Sequence, residues 1–231
     1  MKQRIVLSYS GSPASSSAVR ALAARHAAEV VTLTVDVGQG GELQEVRERA
    51  LAAGAVRAHV IDAREELARL YALPALQAGV PRGGWLPLIR TLSVPLIEAK
   101  VRDIAAIENA AIATDAPSPE VDANLLGRAA SGDTYLLTKP PAAAPDSAAF
   151  VEIAFDRGVP VAINDVRLPL IELIESLALI AGQHGVGRVE TVEAPAAVVL
   201  HAALQVGAHG IVRLKLLKGA CEQVPELVTQ S

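Results

Sequence analysis

Apolar residues along this chain recur at two spacings that take turns through its first hundred residues. Arg4–Ser8 is a β-branched run that predicts a strand. Ser15–Ala28 then carries apolar residues at helical spacing. "EVVTLTVDV" predicts a second strand, Glu42–Ala53 a second helix ending at Gly54, "VRAHVID" a third strand and Arg64–Ala78 a third helix. "GVPRGGWLPL" predicts a Gly/Pro-rich loop, followed by a helix over Pro95–Ile107 and a short strand over Ala110–Thr114. Strands that alternate with helices at these intervals predict a parallel sheet joined by crossover helices.

The alternation stops at Asp115. From there to Ser147 the chain is rich in Ala, Pro, Ser and Asp, and "KPPAAAPDSAA" has the composition of a linker. Beyond it, "AFVEIAFDRGVPVAIND" predicts a hairpin turning at Asp156–Gly158. A helix over Leu168–Ala181, a Gly-rich turn "GQHGVGR" and a late strand "GIVRLKLL" follow. The expected organisation is an α/β domain over 1–115, a linker over 116–148 and a smaller α+β region over 149–231. No internal repeat is visible.

Composition narrows the class. The 231 residues are 51% hydrophobic and 20% charged, enough to build a full core. A net charge of −4 offers no basic footprint, so nucleic acid is not an expected partner. No stretch approaches the roughly 18 uninterrupted apolar residues of a bilayer span, and "MKQRIVLSYS" lacks a signal-peptide cleavage pattern. A cytoplasmic protein without membrane contact is expected. Cys221, the single cysteine, excludes an internal disulfide and reads as a small packed thiol, and the five dispersed histidines show no metal-ligand spacing.

Candidate chemistry begins at "LSYSGSPASSSAVRAL". A small-residue loop between a parallel strand and a helix can present backbone N–H groups, hydroxyls and the positive helix end to an anion. Ser10, Gly11, Ser12, Ser15 and Ser16 suit that role, although a tight turn with a serine N-cap has the same appearance.

The stretches "VDVGQGGELQEVRERALAAGAVRAHVIDAREELARLYALPAL", "FVEIAFDRGVPVAIN" and "AGQHGVGRVETVE" closely resemble argininosuccinate synthase, in family order from about Arg4 to Gly219. The resemblance implies an adenine nucleotide alpha hydrolase-like parallel sheet with flanking helices, plus a truncated second region. It also implies a family reaction in which ATP adenylates the ureido oxygen of citrulline before aspartate attacks, releasing AMP and pyrophosphate. The family loop S-G-G-x-D-[ST]-S wraps the phosphates, which makes Ser10, Gly11, Ser12, Ser15 and Ser16 the nucleotide positions. The resemblance marks Thr91 and Glu193 for the substrate.

Against the family pattern this chain departs where chemistry is expected. In the loop the second glycine is Ser12, the next residue is Pro13, and the aspartate is Ala14. Pro13 has no N–H to give to a phosphate, so the cradle is expected to lose a donor and some of its shape. Where the family reads Y-P-L-G-T-S-L-A-R-P the chain reads "LPLIRTLSVP", placing Leu86, Ile89 and Val94 at the tyrosine, glycine and arginine. The G-C-T-G-K-G-N-D-Q segment has no counterpart, and Glu120 and Ala129 stand at two substrate-contacting serines. Glu193 matches a citrulline-binding glutamate, but the K-S-R-G-x-Y-E segment after it is missing, as is a counterpart of the tetramer-forming tail.

The remaining polar residues have plain structural readings. Asp36, Gln39, Glu42 and Glu45 lie where carboxylates and amides serve as caps and solvated faces. His184 shapes a turn, and Arg188 anchors structure. Trp85 either fills the old substrate pocket or packs as an ordinary tryptophan. The expected function is that of an argininosuccinate synthase-like protein without citrulline–aspartate ligase activity, serving a binding or assembly role as a homo-oligomer or with a protein partner. ATP with Mg2+ is expected to bind weakly or not at all, and no resident metal is expected. The alternative is an active adenylating ligase with a less polar substrate, its pocket rebuilt around Leu86, Ile89, Arg90 and Val94; a remnant without a selected role is the third reading.

Overall fold

A computed structural model describes residues 3–80, 84–113, 121–132, 134–189, 191–207 and 209–225. In chain order the first half forms β1 (Arg4–Ser8), α1 (Pro13–His26), β2 (Glu29–Asp36), α2 (Leu43–Ala52), β3 (Arg57–Asp62), α3 (Arg64–Leu67), α4 (Leu73–Ala78), α5 (Leu86–Arg90), α6 (Val94–Glu108) and β4 (Ala111–Ile112). The second half forms β5 (Ala123–Asn124), β6 (Gly127–Ala129), β7 (Ala149–Asp156), β8 (Val159–Ile163), β9 (Val166–Arg167), α7 (Leu170–Gln183), β10 (Arg188–Val189), β11 (Val192–Glu193), α8 (Pro195–Val206), β12 (Gly210–Leu217) and β13 (Ala220–Gln223).

Contacts divide the chain into two units: Met1–Ala63 with Ser93–Val121, and Arg64–Leu92 with Asp122–Ser231. The first carries a parallel sheet in the order β3-β2-β1-β4. β2 is buried along nearly its whole length, as an inner parallel strand covered on both faces must be. Leu7, Tyr9, Val19, Leu22, Val30 and Ala50 join α1 and α2 to one face, and α6 packs on β1 and β2. Asn109, at φ 48°, ends α6 in the left-handed conformation that asparagine tolerates.

The second unit holds an antiparallel sheet in the order β13-β12-β7-β8-β9 and a small sheet in the order β10-β11-β6-β5. The β7–β8 hairpin turns through Arg157 and Gly158, both at positive φ, the geometry that matches the twist of paired strands. α7 and α8 bury the inner face of the larger sheet, with Ile153, Leu173, Leu177, Leu200 and Leu214 fully enclosed.

These units differ from the boundaries expected from sequence. Residues 64–92 belong with the second unit, which therefore holds the longer share of chain rather than the smaller. Part of the expected linker is structured: β6 pairs with both β5 and β11, and Lys139 N–H donates to the Gly182 carbonyl. Residues 116–120 lie outside the described residues, as do Thr114 of the expected short strand and 81–83 of the expected loop. The helix expected over Arg64–Ala78 is interrupted by a π-helical turn over Ala68–Ala72. Pro74 supplies the reason: it has no N–H for a regular bond, and just before it Leu73 N–H reaches back five residues to the Ala68 carbonyl. Among the described residues no helix is long and apolar enough to cross a membrane.

Candidate functional site

The serine loop lies at the C-terminal end of β1, where the strand order reverses between β2 and β4, the place at which open α/β sheets form ligand crevices. Its groups are largely turned on one another. Ser12 is the N-cap of α1, and its Oγ accepts from Ser15 N–H at 3.1 Å. Ser15 Oγ donates to the Ser12 carbonyl at 2.9 Å. Ser10 Oγ lies 3.1 Å from Ser12 Oγ. Ser16 Oγ turns inward to the hydroxyl of buried Tyr9 at 2.7 Å. Pro13 occupies the first helical position, where a proline is tolerated, and α1 starts there in regular geometry. The missing N–H remains missing at the helix end.

Gly11 has φ +79°, and a Cβ there would come within 3.1 Å of Arg49 Nη2 and 3.2 Å of Val46. One guanidinium therefore stands beside the loop, with Glu45 at 3.4 Å from it. After β2, Asp36 Oδ1 accepts from Gly38 N–H at 2.9 Å, and Gln39 bonds Val37 N–H and the Val35 carbonyl. These two residues fold the turn; Asp36 is buried rather than solvated. Glu42 stands at the N-cap of α2 without a side-chain cap bond. Among the described residues no group of three His, Cys, Asp or Glu side chains could hold a metal ion. Ser12, Ser15 and Ser16 of the loop thus make hydrogen bonds within the loop and to its flanking strand end.

The positions of the second unit that the family resemblance marks for substrate also make hydrogen bonds within the chain. Thr91 caps the end of α5, its exposed hydroxyl donating to the Pro87 carbonyl at 2.8 Å. Ile89 is fully buried in the unit's core, and Leu86 packs against it. Arg90 pairs with Asp122 at 3.3 Å. Asn124, which sequence reasoning did not single out, fixes the end of α5: its amide donates to the Leu88 and Ile89 carbonyls and its oxygen accepts from Leu126 N–H. Trp85 packs on the same core, edge-on to His201 with ring centroids 5.5 Å apart. Val94 begins α6 in the first unit.

Glu193 is completely buried. Oε2 accepts from Leu136 N–H at 2.8 Å, while Oε1 accepts from Leu137 N–H at 2.7 Å, Thr138 N–H at 2.8 Å and the Thr138 hydroxyl at 2.9 Å. Successive backbone N–H groups form a concave nest for a carboxylate, and here the occupant belongs to the chain itself. Two glycines make the packing around it possible. A Cβ on Gly127 would overlap the Glu193 carbonyl, and one on Gly182 would overlap the Leu137 carbonyl.

The other singled-out residues have structural settings. Ala129 is buried in β6, and Glu120 lies outside the described residues. His184 caps α7 and its carbonyl accepts from Gly219 N–H, while its Nδ1 is buried without a hydrogen-bond partner among the described residues. Arg188 lies 3.5 Å over the Tyr135 ring. The half-buried Cys221 thiol is pushed up to about 11, mainly by burial and further by Glu222.

Comparison with known proteins joins both units. The Arginosuccinate synthase N-terminal HUP domain matches residues 4–117, and the Arginosuccinate synthase C-terminal domain matches residues 121–202. Argininosuccinate synthase of Streptococcus suis is 33% identical over 258 residues, covering 83% of this chain and 64% of that protein. The enzymes of Oceanobacillus iheyensis and Synechococcus elongatus are also 33% identical over 258 residues, with 62% and 64% of their lengths covered. The chain thus spans less than two thirds of these relatives. Their matched stretches exceed its own 231 residues, so they carry internal segments without a counterpart here. A solved NAD+ synthetase from Burkholderia pseudomallei aligns at 20% identity and a TM-score of 0.32 over 48% of this chain and 52% of its own, a likeness too slight to carry an argument. With two models of one family matching residues 4–117 and 121–202, and with the parallel sheet and antiparallel second unit in place, this chain belongs to the argininosuccinate synthase family.

Proposed function

We propose that this chain is a family member without citrulline–aspartate ligase activity, which serves a binding or assembly role and holds ATP weakly. The observation that carries the reading is Glu193. A carboxylate that receives four donors from residues 136–138 has little acceptor capacity left for a ureido group, and freeing it would strand three backbone N–H groups. The loop of the first unit supports the same reading. Adenylyl transfer rests on donors aimed at developing charge, whereas Ser12, Ser15 and Ser16 hydrogen-bond their own neighbours.

The exposed Ser10, the start of α1 and the guanidinium of Arg49 leave room for a weak contact with phosphate. Its dissociation constant is expected on the order of 0.1–1 mM or weaker, about −4 to −5.5 kcal/mol. The test is pyrophosphate release with citrulline, aspartate, ATP and Mg2+, run beside calorimetric titration with ATP. No citrulline-dependent release and a shallow titration are expected. Ordinary turnover overturns the reading; tight micromolar ATP binding without turnover on citrulline points instead to an active ligase on a less polar substrate.

A further inference from the structure

Arg128, in the middle of β6, is half-buried. Among the described residues it is the only half-buried arginine whose side chain has no hydrogen-bond, ion-pair or ring partner. The pairing of the small sheet explains why. Arg128 is the register partner of Glu193 on one side and of Ala123 on the other, and Glu193 is in turn paired with Arg188. Direct partners in antiparallel strands share a face, with Cβ atoms about 5 Å apart, so Arg188, Glu193 and Arg128 stand in one row. The carboxylate at its centre is filled. A carboxylate offers about four acceptor sites, and the N–H groups of Leu136, Leu137 and Thr138 with the Thr138 hydroxyl take four. Asp122, beside β5, lies 3.3 Å from Arg90, and Arg188 covers the Tyr135 ring. The donors of Arg128 are left unused, an unfavourable state for a guanidinium partly removed from water.

We propose that Arg128 binds the carboxylate of a small, singly charged ligand on this face of the small sheet. A guanidinium presents parallel N–H groups that match the two oxygens of a carboxylate. The row favours one negative charge and not two: Arg188 and Arg128 against Glu193 leave a single positive charge, and a dianion would be repelled by the Glu193 carboxylate next to it. The backbone that carries Arg128 is fixed, because a Cβ on Gly127 would overlap the Glu193 carbonyl, which holds β6 tightly against β11. Ala129, at the position of a substrate-contacting serine, alternates to the opposite face with its register partner Val192. A ligand on Arg128 therefore does not use that position.

The inference gives a ligand class to the binding part of the proposed function and rests on that part alone; the absence of ligase chemistry is independent of it. The probe is acetate, titrated into the full-length protein at constant ionic strength while the backbone amide resonances of Ala123, Arg128 and Glu193 are followed by NMR. A saturable shift is expected with acetate, a weaker one with phosphate and none with acetamide, which has the shape without the charge. Arg128→Met keeps the unbranched stem and is expected to abolish saturation with an unchanged circular dichroism spectrum. Arg128→Lys keeps the charge without the paired donors and is expected to weaken acetate about tenfold; should the methionine variant not fold, this loss or its absence decides the matter. A shift that stays linear in acetate, equal saturation with acetamide, tighter binding of phosphate than of acetate, or saturation that survives Arg128→Met would each overturn the site. A failure to bind acetate would leave the pyrophosphate result untouched, so the two proposals fail separately.

Discussion

The two places where the family resemblance puts chemistry, the serine loop of the first unit and Glu193 of the second, both satisfy their polar groups internally but at different depths. In the loop, small hydroxyls at an exposed helix start exchange single hydrogen bonds that water could replace. At Glu193 a charge is taken entirely out of water, and four donors within 2.9 Å offset the loss. Self-satisfaction at the surface is easily undone and in the core is not. A ligand could therefore compete for the loop, whereas nothing competes for Glu193 without disrupting the second unit.

The largest expected effect follows from that depth. Glu193→Ala would remove the acceptor of three N–H groups and a hydroxyl, the N–H and hydroxyl of Thr138 among them being buried, costing about 3–5 kcal/mol. Glu193→Gln keeps the shape but presents an amide to donors and should cost about half as much. Urea unfolding followed by backbone exchange over residues 134–140 measures both. A loss under about 1 kcal/mol for the alanine variant would show that the carboxylate is not the clamp described.

The first unit has its own buried carboxylate, far along the chain from the loop. Glu108, at the end of α6, takes Arg57 Nη1 at 2.6 Å and His59 Nε2 at 2.8 Å on Oε1 and Arg4 Nη1 at 3.2 Å on Oε2. Burial alone would raise its pKa; the hydrogen bonds from His59 and Arg57 outweigh burial and hold it below its ordinary value of 4.5. A carboxyl depressed in the folded state contributes stability that is fully present above its unfolded value and is lost as pH falls through the folded one. Unfolding midpoints should hold from neutral pH down to about 4.5 and drop below it, and Glu108→Gln should flatten that drop. At neutral pH the variant should cost about 2 kcal/mol, less than a sealed pair would, because Arg4 and Arg57 keep contact with water.

What was legible in the sequence follows the same division between surface pattern and buried detail. β12 is legible to its ends because from Ile211 onward its buried and more exposed residues alternate. α8 was not assigned: "PAAVVLHAALQV" is buried on nearly every side, so it carries no polar stripe to set a helical period. β5, β6, β10 and β11 are two or three residues long, too short to show a period, and the pairing of β6 with β11 that joins the two short hairpins links positions far apart in the chain, which no local pattern announces. The family motifs marked the serine loop and Glu193. They did not reveal that the donors of residues 136–138 would fill that carboxylate, since the contact joins positions more than fifty residues apart.

At the loop the effects shrink. Ser12→Ala removes the N-cap acceptor of α1 and should cost about 1 kcal/mol in thermal or urea unfolding. A change as large as that expected for Glu193 would mean the loop is braced far more deeply than its half-buried serines indicate.

The smallest effect is a gain. Pro13→Leu with Ala14→Asp returns an N–H to the first helical position and a carboxylate to the second, bringing the loop toward the family pattern without touching Ser10, Gly11 or the Ser12 cap. α1 already starts in regular geometry at Pro13, so the added N–H would point out of the helix end toward an anion. The introduced carboxylate would favour the helix start through its dipole while placing a negative charge near a phosphate, so the two contributions partly cancel in the absence of Mg2+. With Mg2+ present, ATP affinity should rise about fivefold, close to 1 kcal/mol. Calorimetry with and without Mg2+ separates the two contributions. If the double variant binds no better in either condition, Ser12 rather than Pro13 and Ala14 limits the loop, because its Oγ still takes the Ser15 N–H that a phosphate oxygen would need.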